Sequence, residues 1–243
     1  MILAIDAGNT RTKWGVFDAA GERVAQGVLE NTQLDSLAQK NAAWAGCCRA
    51  VVSNVAGVAV ERQLRSLLDG FQLPALWVKA EAAGCGVTNG YTHPGQLGPD
   101  RWAALLAAWN RYREPCVVAT AGTALTVDAL SAKGEFLGGL IVPGLHMMQA
   151  ALAAGTAALP LAEGNLCEYP TGTAAAIYSG GINAMAGAVE RMRARLEERE
   201  SRPPRCLLSG GDAVRLAEAI HGPSEIVDSL VLQGLYLIER EHS

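Results

Sequence analysis

The sequence predicts an α/β chain built from two similar halves, each opening on a mixed sheet whose first three strands are linked by hairpins. Three observations carry this. Ile5-Asp6-Ala7-Gly8-Asn9-Thr10 lines up with Ala119-Thr120-Ala121-Gly122-Thr123-Ala124, in each case a short apolar run closing in a Gly-containing turn. A second run follows each turn, then a glycine turn, Asp18-Ala-Ala-Gly21 in one copy and Ser131-Ala-Lys-Gly134 in the other. The copies lie roughly half a chain apart, a spacing that indicates duplication and not a short solenoid repeat. The expected halves are 1–114 and 115–243.

Each element has a local reason. Met1–Asp6, Thr12–Phe17 and Arg23–Leu29 read as strands, because apolar residues alternate or cluster between tight turns. Helical spacing follows at Leu34–Lys40. Arg49–Asn54 has the length and composition of a strand, Val58–Leu68 repeats apolar residues at helical spacing, and Ala75–Val78 is a short strand. The glycine-rich stretch Ala80–Gly98 reads as a long loop, of the kind that often carries function. Pro99 then opens a helix to about Tyr112, since proline is tolerated in a first helical turn. In the second half Cys116–Thr120, Leu125–Leu130 and Phe136–Val142 repeat the three strands. Helices are expected at Leu145–Ala154 and Ala174–Glu200, a strand at Cys206–Ser209, and two last helices at Ala213–Ile220 and Ile226–Arg240.

Composition excludes several classes. With 50% hydrophobic and 18% charged residues among 243, the chain can bury a sizeable core and is not disordered. Lys and Arg number 20 against 24 Asp and Glu, so the cation excess that neutralises nucleic-acid phosphates is missing. Aromatic residues, at 5%, offer few platforms for stacked bases. No apolar run reaches the ~20 residues of a membrane helix, and the N-terminus reads as a strand without a basic signal-peptide region. The six cysteines fall in no metal spacing and read as reduced, mostly buried thiols. The expectation is a cytoplasmic protein with neither nucleic-acid nor membrane partners.

The chemistry concentrates in three places. In Asp6-Ala7-Gly8-Asn9-Thr10-Arg11-Thr12-Lys13, a small-residue turn lets backbone N–H groups approach an anion. Asn9, Thr10 and Thr12 add polar groups, Lys13 adds a compact positive charge, and Asp6 could orient a hydrated Mg²⁺ on a phosphate chain. The turn is neither a Walker A loop nor a dinucleotide fingerprint, since both motifs are absent. Its second copy, around Gly122 and Thr123, suggests two hairpins gripping a nucleoside triphosphate, and duplication for architecture alone is the competing reading. Ser209-Gly210-Gly211-Asp212, between a strand and a helix, could cover a purine or accept an anion. Finally, Asn89-Gly-Tyr91 through Gly98-Pro99-Asp100-Arg101 runs into a helix. Asp100 sits in its first turn, where a carboxylate is favoured and could serve as a general base, while Arg101 offers a fork to a carboxylate.

Taken in order, these residues resemble the type III pantothenate kinases, members of the acetate and sugar kinase/Hsp70/actin superfamily. The markers are Asp6-x-Gly-Asn-Thr-x-x-Lys13, Gly98-x-Asp-Arg101, Gly122-Thr-Ala124, Gly138-Gly-x-Ile-x-Pro-Gly144, Thr173-x-x-Ala-Ile-x-x-Gly180 and Ser209-Gly-Gly211. The resemblance implies a duplicated ribonuclease-H-like (actin-like ATPase) fold and ATP-dependent phosphorylation of the pantothenate 4′-hydroxyl, the first step of coenzyme A synthesis. By the same resemblance Asp6–Lys13, Gly122, Thr123, Gly210 and Gly211 bind ATP, and Asp100 accepts the proton. Tyr91, Gly98, Pro99, Asp100 and Arg101 hold pantothenate. Thr173 reaches it from the partner of a homodimer. Mg²⁺ with ATP is implied. The family also commonly binds K⁺ or NH₄⁺ through an aspartate where this chain has Thr120, which puts that cation site in doubt. The competing functional classes are a nucleotide-binding accessory transcriptional regulator and another small-molecule kinase of the superfamily.

Overall fold

The structure is a computed structural model that describes residues 1–36, 42–157, 159, 161 and 163–242. In chain order its strands are β1 (Ile2–Ala7), β2 (Arg11–Phe17), β3 (Arg23–Glu30), β4 (Arg49–Asn54), β5 (Ala75–Trp77), β6 (Ala83–Gly84), β7 (Val87–Asn89), β8 (Cys116–Ala121), β9 (Ala124–Leu130), β10 (Glu135–Pro143), β11 (Arg205–Ser209) and β12 (Glu225–Ile226). The α-helices are α1 (Val58–Gly70), α2 (Pro99–Tyr112), α3 (Leu145–Gly155), α4 (Thr173–Glu200), α5 (Ala213–Ala217) and α6 (Leu230–Glu241). The chain divides into two compact units, Met1–Tyr112 with Ser229–Ser243, and Arg113–Asp228.

In the first unit the strand order is β3-β2-β1-β4-β5. The first three strands form an antiparallel meander, and β4 and β5 continue parallel from β1. Leu3, Ile5 and Ala7 of β1 meet Leu64 and Leu68 of α1 and the Trp44 ring on one side of the sheet. A run of nine buried residues in α2, Arg101 to Trp109, needs cover all round, and α6 supplies part of it. Gly234 of α6 lies so close to Ala103 that a Cβ there would collide with the Ala103 backbone. Phe17 stacks on Tyr236 at 5.0 Å, and the buried Glu239 pairs with Arg49 at 3.2 Å.

The second unit has the order β10-β9-β8-β11-β12, with the same antiparallel meander and the same parallel additions. Val117 and Ala119 of β8 and Leu125 and Val127 of β9 pack on Ile182, Met185 and Val189 of α4. The same topology in each unit is the duplication that the paired turns predict.

The differences from the sequence reading are local. Residues 229–243 pack with the first unit, whereas the boundary at 114/115 assigned them to the second. The expected helix at Leu34–Lys40 falls partly on residues 37–41, outside the described residues, and Asn31–Ser36 is a 3-10 helix. The long loop hides the β6–β7 hairpin, turned by Cys85 and Gly86 at φ 46° and 82°. Ala213–Ile220 is helical only to Ala217. The last helix starts at Leu230, because Ile226 pairs with Leu208 as a strand and Ser229 turns the chain at φ 56°. Of the cysteines only Cys116 and Cys206 are buried, Cys48 being exposed and the others half-buried.

Candidate active site

The first candidate turn is the loop between β1 and β2. Gly8 N–H donates to the Arg11 carbonyl at 3.1 Å and closes it. Asn9, Thr10 and Arg11 are exposed at its tip, and Thr12 is buried behind them. Asn31, the first residue after β3, braces the loop from outside. Its Nδ2 donates to the Gly8 carbonyl at 2.8 Å and the Asn9 carbonyl at 3.2 Å. Its backbone N–H donates to the Thr10 carbonyl at 3.1 Å, and Thr12 Oγ1 donates to its Oδ1 at 2.8 Å. Arg11 is drawn sideways to Glu30 at 3.2 Å, an exposed pair that contributes little.

Asp6 stands at the end of β1, opposite Lys13 on β2 and beside Ser53 on β4. Its Oδ1 is shut away from solvent, and neither that oxygen nor Ser53 Oγ has a partner in bonding geometry among the described residues. Burial and then the charge of Asp100 push its pKa up from 3.8 to about 7, against the pull of Lys13 and the nearby Ser53 hydroxyl. The physical cause is that burial disfavours the charged carboxylate and a second carboxylate nearby adds to this, with one ammonium opposing both.

Asp100 lies in the first turn of α2, as expected. Burial also raises its pKa, opposed by the N–H groups of Arg101 and of Asp100 itself and by the Arg101 charge. A Cβ on Gly98 would press on Asp100 Oδ1, so any larger residue there would displace the carboxylate. Arg101 is only 6% exposed, and its Nη1 donates to Tyr91 Oη at 3.1 Å. Asn89 holds that segment in place. It accepts the Tyr91 N–H at 3.1 Å and donates to the carbonyls of Glu81 at 3.1 Å and Pro94 at 3.3 Å. Asp6, Lys13, Asp100, Arg101 and Tyr91 thus belong to one unit, with Asp6 and Asp100 close enough to feel each other's charge.

In the second unit three glycine turns converge. Gly122 and Thr123 make the two-residue turn between β8 and β9. Gly144 N–H donates to the Thr123 carbonyl at 3.0 Å, and Asp212 N–H to the Ala121 carbonyl at 3.2 Å. A Cβ on Gly144 would hit the Gly122 carbonyl, and one on Gly210, which has φ 96°, the Ala121 carbonyl. Only glycine lets three backbones meet so closely. Gly211 has open space around its Cα. Thr173 is exposed at the start of α4, on an apolar groove lined by Met148, Leu152, Pro170 and Ile177.

Among the described residues no three His, Cys, Asp or Glu side chains gather as a metal cage. A Mg²⁺ carried on phosphates fits nonetheless, because one carboxylate plus water suffices and Asp6 Oδ1 has no hydrogen-bond partner among the described residues. A carboxylate-held monovalent cation does not fit at Thr120. Its register partners are Thr126 on β9 and Ser209 on β11, both neutral hydroxyls.

Asn31 and Ser53 escape a motif reading, and Asn89, at the head of the Tyr91–Arg101 segment, is given no role by one. Asn31 and Ser53 reach the site only through strand register. Asn89 is the one with a local signal, as Asn-Gly before Tyr91 marks a side-chain-stabilised turn.

Comparison with known proteins adds a common answer. The sequence model described as type III pantothenate kinase matches residues 2–195. The chain is similar to a type III pantothenate kinase of Nitrosospira multiformis, 46% identical over 100% of this chain and 92% of that one. It is 47% identical to one of Aromatoleum aromaticum, over 99% and 98% of the two chains. Among solved structures it resembles a Campylobacter jejuni protein described as a Baf family transcriptional activator, with TM-score 0.62, 20% identity and 99% and 98% coverage. It also resembles a Listeria monocytogenes protein described as an N-acetylmannosamine kinase, with TM-score 0.55, 17% identity and 100% and 99% coverage. The two structural likenesses speak to the fold, which is the duplicated actin-like one.

Proposed function

The chain belongs to the type III pantothenate kinase family and phosphorylates pantothenate with ATP in coenzyme A biosynthesis, and we propose that Asp100 takes the proton of the attacking hydroxyl. The observation that carries this is the grouping of Asp100, Arg101 and Tyr91 in the unit that holds Asp6 and Lys13.

In this reading the pantothenate 4′-oxygen forms a bond to the γ-phosphorus as the bond to the ADP oxygen breaks, and its proton passes to Asp100 Oδ. Such transfer asks the protein for positioning and charge stabilisation more than for covalent chemistry. Asp100 suits the task because burial raises its pKa toward that of a useful base. Gly98 and Pro99 set the turn that presents it. Arg101 and Tyr91, already joined by a hydrogen bond, hold the substrate. Backbone N–H groups of the Gly8–Arg11 turn and the ammonium of Lys13 bear phosphate charge, and the turns at Gly122, Thr123, Gly210 and Gly211 supply further backbone contacts to the nucleotide. Bound Mg²⁺ would neutralise phosphate oxygens, with Asp6 orienting its water shell. Thr120 removes the charge a monovalent cation needs, so we place no K⁺ or NH₄⁺ there.

The reading includes a homodimer in which Thr173 of the partner subunit completes the pantothenate site. Supporting it, the groove beside Thr173 includes the exposed Leu152, and Met147, Leu161 and the 82%-exposed Tyr169 are exposed apolar residues nearby in sequence. We place the reaction in the cytoplasm, with no nucleic-acid or membrane partner. The acidic balance of 24 to 20 supports this, and no helix among the described residues is long and apolar enough to cross a membrane.

Mixed dimers test the shared site. Asp100→Asn and Thr173→Val subunits are each expected to be nearly inactive alone. Mixed, they should regain activity, because half the heterodimer sites combine wild-type Asp100 with wild-type Thr173. No recovery from folded, mixed dimers would refute the shared site.

A further inference from the structure

We propose that Asn31 is a positioning residue for phosphate binding, setting the direction in which the Gly8–Arg11 turn aims its N–H groups. The inference rests on the reading of that turn as a phosphate holder and adds to it a residue lying outside the motif.

The argument is geometric. Asn31 occupies the carbonyls of three successive residues, Gly8, Asn9 and Thr10, at 2.8, 3.2 and 3.1 Å. No peptide bond among the described residues is cis, so each C=O points opposite to the N–H of the same peptide. Drawing three carbonyls toward Asn31 therefore turns the N–H groups of Asn9, Thr10 and Arg11 the other way, as a row of donors. Successive N–H groups on one side of a turn are what an anion-binding concavity requires. The amide of Asn31 is itself held in one orientation, because the Gly8 and Asn9 carbonyls can only accept and so face Nδ2, which leaves Oδ1 to accept from the fully buried Thr12 Oγ1 at 2.8 Å. Only an amide side chain offers this set: a carboxylate would face two carbonyl oxygens, and a hydroxyl could not reach both while accepting from Thr12.

A merely structural role and a positioning role predict different kinetics. Asn31→Asp retains the acceptor for Thr12 but replaces the Nδ2 donor with a carboxylate oxygen against the Gly8 and Asn9 carbonyls. We expect the KM for ATP to rise about ten- to hundredfold, the KM for pantothenate to stay within about twofold, and the protein to remain folded by circular dichroism. Thr12→Val, which removes the donor to Asn31 Oδ1 and loosens the amide, should also show an ATP-selective rise, and it carries the test should Asn31→Asp not fold. An unchanged ATP KM in the folded variant, or an equal rise in both KM values, would overturn the proposal. Lys13→Met serves as the reference. If it weakens ATP binding while Asn31→Asp does not, only the role of Asn31 fails. If neither affects ATP, the phosphate-holding reading of the turn fails with it.

Discussion

Replacing Asp6 with asparagine should stabilise the ligand-free enzyme at neutral and alkaline pH while removing its use of ATP. In the folded chain the Asp6 pKa lies near 7, against 3.8 without the fold, through burial and the neighbouring Asp100 charge. Between those values the folded state keeps a proton that the unfolded state has lost, so stability falls as pH rises across that window and levels off above it. Asparagine does not titrate, so the stability gap between variant and wild type should widen from pH 5 to pH 8. Two pH units separate 5 from the folded pKa of about 7, and each is worth 1.36 kcal/mol, which sets a ceiling of about 3 kcal/mol on the widening. The residue as a whole is half-buried although Oδ1 is sealed, so about 1–3 kcal/mol is the expected range. For a chain of this size that corresponds to roughly 3–10 °C in Tm. Thermal melts of both proteins at pH 5 and pH 8, without nucleotide, read it directly. A gap that is equal at the two pH values, or that narrows at pH 8, would refute the reading of Asp6 as a buried carboxylate with a raised pKa.

Other outcomes follow from the same geometry. Gly98→Ala places a methyl group on Asp100 Oδ1, so kcat should fall about tenfold while the melt moves by no more than a few degrees; an unchanged kcat would show that Asp100 tolerates displacement. At constant ionic strength the wild-type rate should vary little among KCl, NaCl and NH₄Cl, and Thr120→Asp should introduce a cation response. Full dependence of the wild type on K⁺ would contradict the neutral reading of that site. The acid limb of the kcat profile should lie above the ordinary carboxylate range, because the base must be ionised and burial raises the Asp100 pKa, so the rate falls as pH drops through that raised value. A limb at about 4 would point to a different base.

Much of the fold could be read from short-range signals. The paired turns at Gly8 and Gly122 revealed the duplication, because each combines an apolar run, a Gly turn and a second strand within a few residues. The start of α2 at Pro99 and the first-turn place of Asp100 were equally local. What stayed hidden depends on distant pairing. The apolar stripe of α6 announces that the helix must be covered, but not that Ala103 of α2 covers it. The left-handed turn at Ser229, which delays that helix, uses a residue with no special liking for positive φ. Ser53 meets Asp6 through the parallel pairing of β4 with β1, and Asn31 meets the turn because Arg11 and Glu30 are opposite in the β2–β3 register. Motifs located the candidate site groups, and register supplied the groups that hold them.

The most direct measurement is single-turnover phosphoryl transfer from ATP to pantothenate by Asp100→Asn, with ATP and pantothenate binding followed separately. The account predicts a folded variant that binds both substrates and transfers phosphate about 10²–10⁴-fold more slowly, the usual worth of a general base. Transfer at a rate near that of the wild type would contradict it.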